Sequence, residues 1–461
     1  MPSSSSKMSA HFWNDAEIIL YIIIAVLVVD NLWAVYLQIR EIIAVHEVDQ
    51  VPPVISPYLP QDLFNKMRTY KIHKCWFTVI NTLLIVVFSG ILELFFGFYP
   101  WLWDVATKCS LAKWMEHEAC VSIFFVLLLS LYITLKACPG MLYEKLFIKA
   151  LQERKHPPWL RRICREIIDT ILAVIFMSLT VVSLVFMVLW LKEYTAVGLY
   201  VQSLLLTLLL ILLVPFLIDP FVGKRVPLEN ANLRSDLEHL TDIVDFPMRQ
   251  VHIIRVNDPN TPSNAFFYGS CCLKRIVIFD TLLLNRGHKD LSTLSPEEVG
   301  KGLRDSQVVA VVAHELGHWV HGHFYKAIFM FQFHMILMMC LFHVLFTHGP
   351  IYEAVGFEAG LQPIVVGFLI VFGFVLTPYL TMSNFCMLSA TRHFEYQADS
   401  FAWEMGFSKD LRQALLKLYA DNLAFPISDP CYSSWNHTHP TMLDRLNRLE
   451  KLQQRLDSNG T

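Results

Sequence analysis

Residues 308–346 read VVAVVAHELGHWVHGHFYKAIFMFQFHMILMMCLFHVLF, and two patterns meet in them. The first half has no proline and contains His314-Glu315-Leu316-Gly317-His318, an HExxH arrangement in a helix-forming window. On a helix the two histidines lie one turn apart on one face, which suits two ligands of a tetrahedral zinc ion. Zinc lowers the pKa of a water it holds to near 7, and Glu315 stands beside the pair to take that proton for amide hydrolysis. The second half, Tyr325 to Phe346, is apolar enough to cross a bilayer core of about 30 Å, which needs roughly 20 helical residues. From Ser306 the helical pattern is expected to run unbroken into this span.

Six further segments qualify as spans: Glu17 to Gln38, Phe77 to Phe98, Val121 to Ala137, Ile167 to Leu191, Gly198 to Ile218 and Gln362 to Ala390, the last with Pro378 as a predicted kink. The composition agrees, with 54% hydrophobic and only 17% charged residues among 461. The expected fold is therefore mainly α, a polytopic membrane protein of seven transmembrane helices. Lysines and arginines concentrate in the first connection (Arg40, Lys66, Arg68, Lys71, Lys74) and the third (Lys145, Lys149, Arg154, Lys155, Arg161, Arg162, Arg165), while the second has only Lys108 and Lys113. Basic loops stay cytoplasmic, so the C-terminus is expected in the cytoplasm and the N-terminus on the opposite side. The first residues lack a signal-peptide pattern, so insertion is expected to rely on the first span. A net charge of −3 offers no field to gather nucleic acid, which is not an expected partner. The ten cysteines show no CxxC pair, and the vicinal Cys271 and Cys272 carry no redox or metal role.

Four segments follow: 1–218 with the first five spans, a cytoplasmic-side insert 219–324 carrying the HExxH helix, spans six and seven in 325–390, and a C-terminal segment 391–461. Within the insert, Gln250 to Val256 and Arg275 to Phe279 read as β-strands, a small β element, and Leu294 to Leu303 as a short helix.

An HExxH arises by chance in on the order of a few per cent of chains this long, so a third ligand matters. Glu395, in Glu395-Tyr396-Gln397-Ala398-Asp399 just after the seventh span, is the candidate, because two crossings return the chain to the same membrane face. Asp399, one turn further, could accept the second ring N–H of a zinc histidine and fix its tautomer. A third histidine in the metzincin manner would need Gly at 321 and His at 324, where His321 and Phe324 stand. His321 and His323 read as interfacial residues, and His334, His343 and His348 as packing or functional residues of the sixth span.

The motifs around His314 and Glu395, together with His437-Thr438-His439-Pro440, Ser263 to Gly269 and Lys274 to Leu282, closely resemble the Ste24 family of CAAX prenyl proteases. The resemblance runs in order from the first span to Leu449. It implies a zinc protease of the endoplasmic reticulum and inner nuclear membrane whose seven helices form a barrel around an internal chamber. Such enzymes remove the last three residues of farnesylated CAAX polypeptides, and some cut again upstream. By matching motif, His314, His318 and Glu395 become the ligands of one Zn2+ and Glu315 the base. Asp399 becomes a proton donor, where its spacing favours orientation of a zinc histidine. His439 becomes a donor to the oxyanion, and Asn264, Ala265 and Phe266 part of an edge strand that binds substrate. Without the resemblance, Asn264 reads as an ordinary turn residue. The alternatives are a membrane-protein quality-control protease indifferent to prenylation and a seven-span receptor or transporter. The C-terminus carries no dilysine or KDEL retrieval signal.

Overall fold

The computed structural model describes residues 13–109, 118–144, 147, 159–256, 261–269, 274–288, 290–296 and 298–459. Lys113, Lys145, Lys149, Arg154, Lys155, the turn at 257–260, Cys271 and Cys272 lie outside the described residues.

The N-terminal half is a bundle of long apolar helices: α1 (Ala16–His46), α2 (Gln61–Phe95, with a π-helical stretch at Thr82–Phe88), the short α3 (Phe98–Lys108), α4 (Glu118–Tyr143), α5 (Trp159–Leu191) and α6 (Thr195–Val222). Asp15 caps α1 by accepting the Glu17 and Ile18 amides. Their outer faces expose rows of large apolar side chains, Val29, Phe176, Trp190 and Leu205 among them, as a helix in lipid requires. By length and composition five helical runs among the described residues could cross a membrane, or six with one bent pair. One of the five, Ile163–Leu213, is a hairpin. Gln202 Nε2 donates to Ser183 Oγ at 3.2 Å, whereas residues 19 apart in one helix would be separated by about 28 Å. The chain reverses at Lys192, whose φ is +49°.

The second half begins with strand β1 (Gly223–Val226) and helix α7 (Ala231–Ile243), then β2 (Val251–Val256), β3 (Ala265–Tyr268) and β4 (Arg275–Phe279). The sheet order is β1-β2-β4-β3, with β2 and β4 parallel and both outer pairs antiparallel, so β3 is an edge. Both strands read from the sequence are present. Among the described residues of 294–303 no α-helix forms; Ser295 folds a turn onto Glu298, and Leu303 pairs its backbone with Leu282 and Leu284 instead.

Helix α8 (Asp305–Val320) carries the HExxH residues, and α9 (His323–Phe346) is the following span. They are two helices, because Gly322 takes a left-handed φ of +63° and ends the first. After the short α10 (Gly349–Ala354), the last span comprises α11 (Ile364–Ile370), a π-helical turn to Val375, and α12 (Thr377–Glu404). The two parts bend by 60° just before Pro378, where the kink was expected. Helices α13 (Ser408–Asp421), α14 (Pro430–Asn436) and α15 (Met442–Asn459) complete the chain. One core joins the sheet to α7, α8, α13 and α15 through Ile276, Ile278, Leu237, Val308, Val312, Leu316, Leu411 and Leu449. Burial of such side chains is worth about 1.5–3 kcal/mol each, which fixes α8 against its neighbours.

Candidate metal centre

Helices α8 and α12 approach closely at Gly317, where a Cβ would lie 2.9 Å from the Ala398 Cα. That contact brings the HExxH face of α8 against Glu395. His314 Nε2 is 3.3 Å from His318 Nε2 and 3.5 Å from Glu395 Oε2, and His318 Nε2 is 3.3 Å from Glu395 Oε1. A tetrahedron with metal–ligand bonds of 2.0–2.1 Å has edges of about 3.3–3.4 Å, so the three residues fit zinc. They are also a group whose ligand atoms all lie within 4.8 Å of one another. Glu395 Oε2 is buried without a well-aligned donor, although His439 Nδ1 stands 2.9 Å away. A buried carboxylate oxygen in that condition is costly unless a cation takes it.

The electrostatics agree. Burial alone would lower the His314 pKa, but hydrogen bonds to Asp399 and Glu395 outweigh it and raise the pKa to about 10. The two carboxylates flanking the ring thus make the pocket favour a positive charge there. Asp399 Oδ1 lies 3.0 Å from His314 Nδ1, on the side of the ring away from Glu395. Asp399 is fully buried and is itself gripped by Arg445, whose Nε and Nη2 donate to its two oxygens at 2.9 and 2.6 Å.

A cleft of about 390 Å3 opens over these groups, lined among others by Asn264, Phe266, Glu315 and His439. Glu315 Oε2 accepts the Phe267 amide at 2.9 Å, which ties the carboxylate to the edge strand. Phe279 N–H donates to the Asn264 carbonyl at 3.0 Å, so with antiparallel alternation Asn264, Phe266 and Tyr268 turn their main chain to β4. Ala265 and Phe267 face the cleft. Asn422 extends that edge by pairing both its amide atoms with the Ser263 backbone. His439 lies at the cleft mouth with 62% of its side chain exposed.

The structure thus brings together His314, Glu315, His318, Glu395, Asp399, His439 and Asn264 to Phe266. Sequence reasoning gave no part in the site to Arg445, His323, Gln397 or Asn422. Arg445 stands on the buried face of α15 with Met442, Leu446 and Leu449, and a charge inside an apolar stripe was its signal. His321 is not in that group of ligand atoms, and its Nδ1 turns back to the Gly317 carbonyl. His323 is not interfacial: it is 4% exposed and sits 2.9 Å from His318. His334 is a packing residue, shared by Tyr379 and Ser383 across α9 and α12.

Two helix-borne histidines with a glutamate between them, completed by a carboxylate from a membrane-crossing neighbour, define an integral-membrane metallopeptidase. Comparison narrows the class. Residues 227–453 match peptidase family M48, and residues 41–224 match the family described as CAAX prenyl protease N-terminal, five membrane helices. The chain is 33% identical over 449 residues to the CAAX prenyl protease 1 homolog of Homo sapiens, covering 92% of this chain and 93% of that protein. It is 32% identical over 446 residues to the Mus musculus homolog, with the same coverage. The fold is similar to the crystal structure of S. mikatae Ste24p, with a TM-score of 0.76 and 26% identity over 94% of this chain and 99% of that one. The chain belongs to the CAAX prenyl protease 1 family of M48 metallopeptidases. That membership removes the receptor or transporter alternative.

Proposed function

We propose that this protein is a zinc endopeptidase of the endoplasmic reticulum and inner nuclear membrane that removes the C-terminal tripeptide from farnesylated CAAX polypeptides. A second, upstream cut is part of the proposal. The observation that carries it is the tetrahedral spacing of His314, His318 and Glu395, in a chain related over nine-tenths of its length to CAAX prenyl protease 1 homologs.

These three residues would hold one Zn2+ per chain. When bound, zinc polarises the scissile carbonyl and acidifies the attacking water. Glu315 accepts that water's proton and passes it to the leaving nitrogen, its carboxylate steadied by the Phe267 amide. Asp399 accepts the His314 Nδ1–H and keeps Nε2 bare, a positioning task that its 3.0 Å contact supports over proton donation. His439 donates to the developing oxyanion from the cleft mouth. The substrate adds an extended strand to β3, pairing with Ala265 and with the carbonyl of Phe267, while Asn264 and Phe266 line the cleft.

The proposed topology has seven crossings: α1, α2, α4, α5, α6, α9 and the bent pair α11 and α12. The hairpin at Lys192 supports counting α5 and α6 separately. The N-terminus is luminal and the C-terminus cytoplasmic, by the lysine and arginine asymmetry. The helices enclose a chamber that admits the farnesyl chain. The four segments 1–218, 219–324, 325–390 and 391–461 then alternate between membrane and peptidase parts.

The test is purified protein with a farnesylated CAAX peptide, products mapped by mass spectrometry. The terminal tripeptide should be released, and Glu315→Ala should stop its release. Equal cleavage of the matched unprenylated peptide would move the substrate from prenyl proteins to membrane-protein quality control.

A further inference from the structure

We propose that His323 is a positioning residue of the metal centre: held by Gln397, it fixes His318 in the tautomer that presents Nε2 to zinc. The inference rests on the zinc reading of the site and concerns two side chains outside the ligand set.

The geometry is a chain of two hydrogen bonds. His318 Nδ1 lies 2.9 Å from His323 Nδ1, and His323 Nε2 lies 2.9 Å from Gln397 Oε1. An amide oxygen only accepts, so His323 carries its proton on Nε2. A neutral His323 then has a bare Nδ1, which accepts the proton on His318 Nδ1. His318 is left with a bare Nε2, and that atom faces His314 Nε2 and Glu395 Oε1 at 3.3 Å. Turning the Gln397 amide over would reverse both bonds and put a proton on His318 Nε2, closing the site to a metal. Metal binding therefore selects one orientation of Gln397.

The ring of His323 is held for this task. It is buried and stacks on Phe394 with centroids 4.5 Å apart and planes 14° from parallel. Gln397 belongs to α12, two residues after Glu395. One helix therefore supplies a metal ligand directly and orients a second ligand through His323. The two histidines are supported differently: His314 by the carboxylate of Asp399, His318 by a neutral imidazole and amide. A neutral support orients the ring without adding negative charge next to the metal.

The experiment measures zinc affinity by chelator competition on the full-length protein in detergent, for wild type, His323→Leu, His323→Asn and Gln397→Met. Loss of an orienting partner should weaken zinc binding by about 10–100-fold in His323→Leu. His323→Asn, whose side-chain oxygen can replace Nδ1 as acceptor, should recover much of that loss. Gln397→Met should fall between them, and the absorption spectrum of its cobalt(II)-substituted form should shift. Wild-type affinity in His323→Leu would overturn the proposal. If that variant does not fold, wild-type affinity and an unchanged cobalt spectrum in Gln397→Met overturn it. Wild-type protein that binds no zinc overturns the zinc reading as well, which separates the two failures.

Discussion

Two buried carboxylates in this molecule show opposite designs. Glu93, in α2, accepts from Ser89, Tyr132 and Lys136 on Oε1 at 2.6, 2.8 and 2.6 Å, and from Tyr99 on Oε2 at 2.8 Å. Both its oxygens are served by protein donors, so the cluster is closed and ties α2, α3 and α4 together inside the bundle. Glu395, in α12, has one oxygen with no well-aligned donor, although His439 Nδ1 and Arg445 Nη1 stand 2.9 and 3.7 Å from it, and the nitrogens of His314 and His318 lie 3.3–3.5 Å from its two oxygens. Those separations are those of atoms sharing a cation. A saturated buried charge is architecture, and an unsaturated one grouped with two histidine nitrogens at ligand spacing is a binding site.

The sharpest way to break this contrast is Glu395→Ala. Zinc content measured by elemental analysis should fall from one per chain to near zero and peptide cleavage with it; a variant that retains its metal would show that Glu395 is not a ligand. Chelator treatment of the wild type should give the same loss, reversed by added zinc. Next in size is Glu315→Gln, which leaves the ligands in place. Its kcat should fall by about a hundred- to ten-thousand-fold with zinc content unchanged. Loss of zinc in that variant would mean that Glu315 belongs to the ligand set.

The clustering of His314, His318 and Glu395 was legible in the sequence, because HExxH encodes its geometry in a four-residue spacing and Glu395 follows the last long apolar segment. That the chain is polytopic was legible as well, since runs of about 20 apolar residues have few other uses; the described residues hold five such helical runs, or six with the bent pair, against the seven expected, and Pro378 marked the bend. What stayed hidden depends on contacts between distant segments. Arg445 reaches Asp399 only after α15 packs on α12. His323 becomes buried only because Gly322 breaks the helix and turns its ring back onto His318. The turn over residues 294–303 comes from backbone pairing with residues 282–285, a nonlocal choice that a helical pattern cannot reveal. Strand β1 is four residues long and exists because it pairs with β2.

On the closed side the effects should be smaller and confined to stability. Lys136→Met leaves Glu93 buried without its cation and should cost about 3–5 kcal/mol, the range for breaking a buried pair. Unfolding in detergent measures that loss, while zinc affinity and kcat of the folded fraction stay at wild-type values. Lower zinc affinity in this variant would join the two clusters that the comparison separates.

The smallest effect tests whether the cluster is saturated evenly. Tyr99 donates to Glu93 Oε2, where no other donor is found among the described residues, whereas Tyr132 shares Oε1 with Ser89 and Lys136. Tyr99→Phe strips one carboxylate oxygen of its donor and should cost about 1.5–3 kcal/mol, as for a hydrogen bond to a charged group. Tyr132→Phe leaves Oε1 with two donors, and should cost about 0.6 kcal/mol, the average for a polar contact between membrane helices. Equal losses would mean that the donors rearrange freely around Glu93. The cluster would then behave as a pool of interchangeable donors, and saturation by itself would no longer distinguish it from the metal centre.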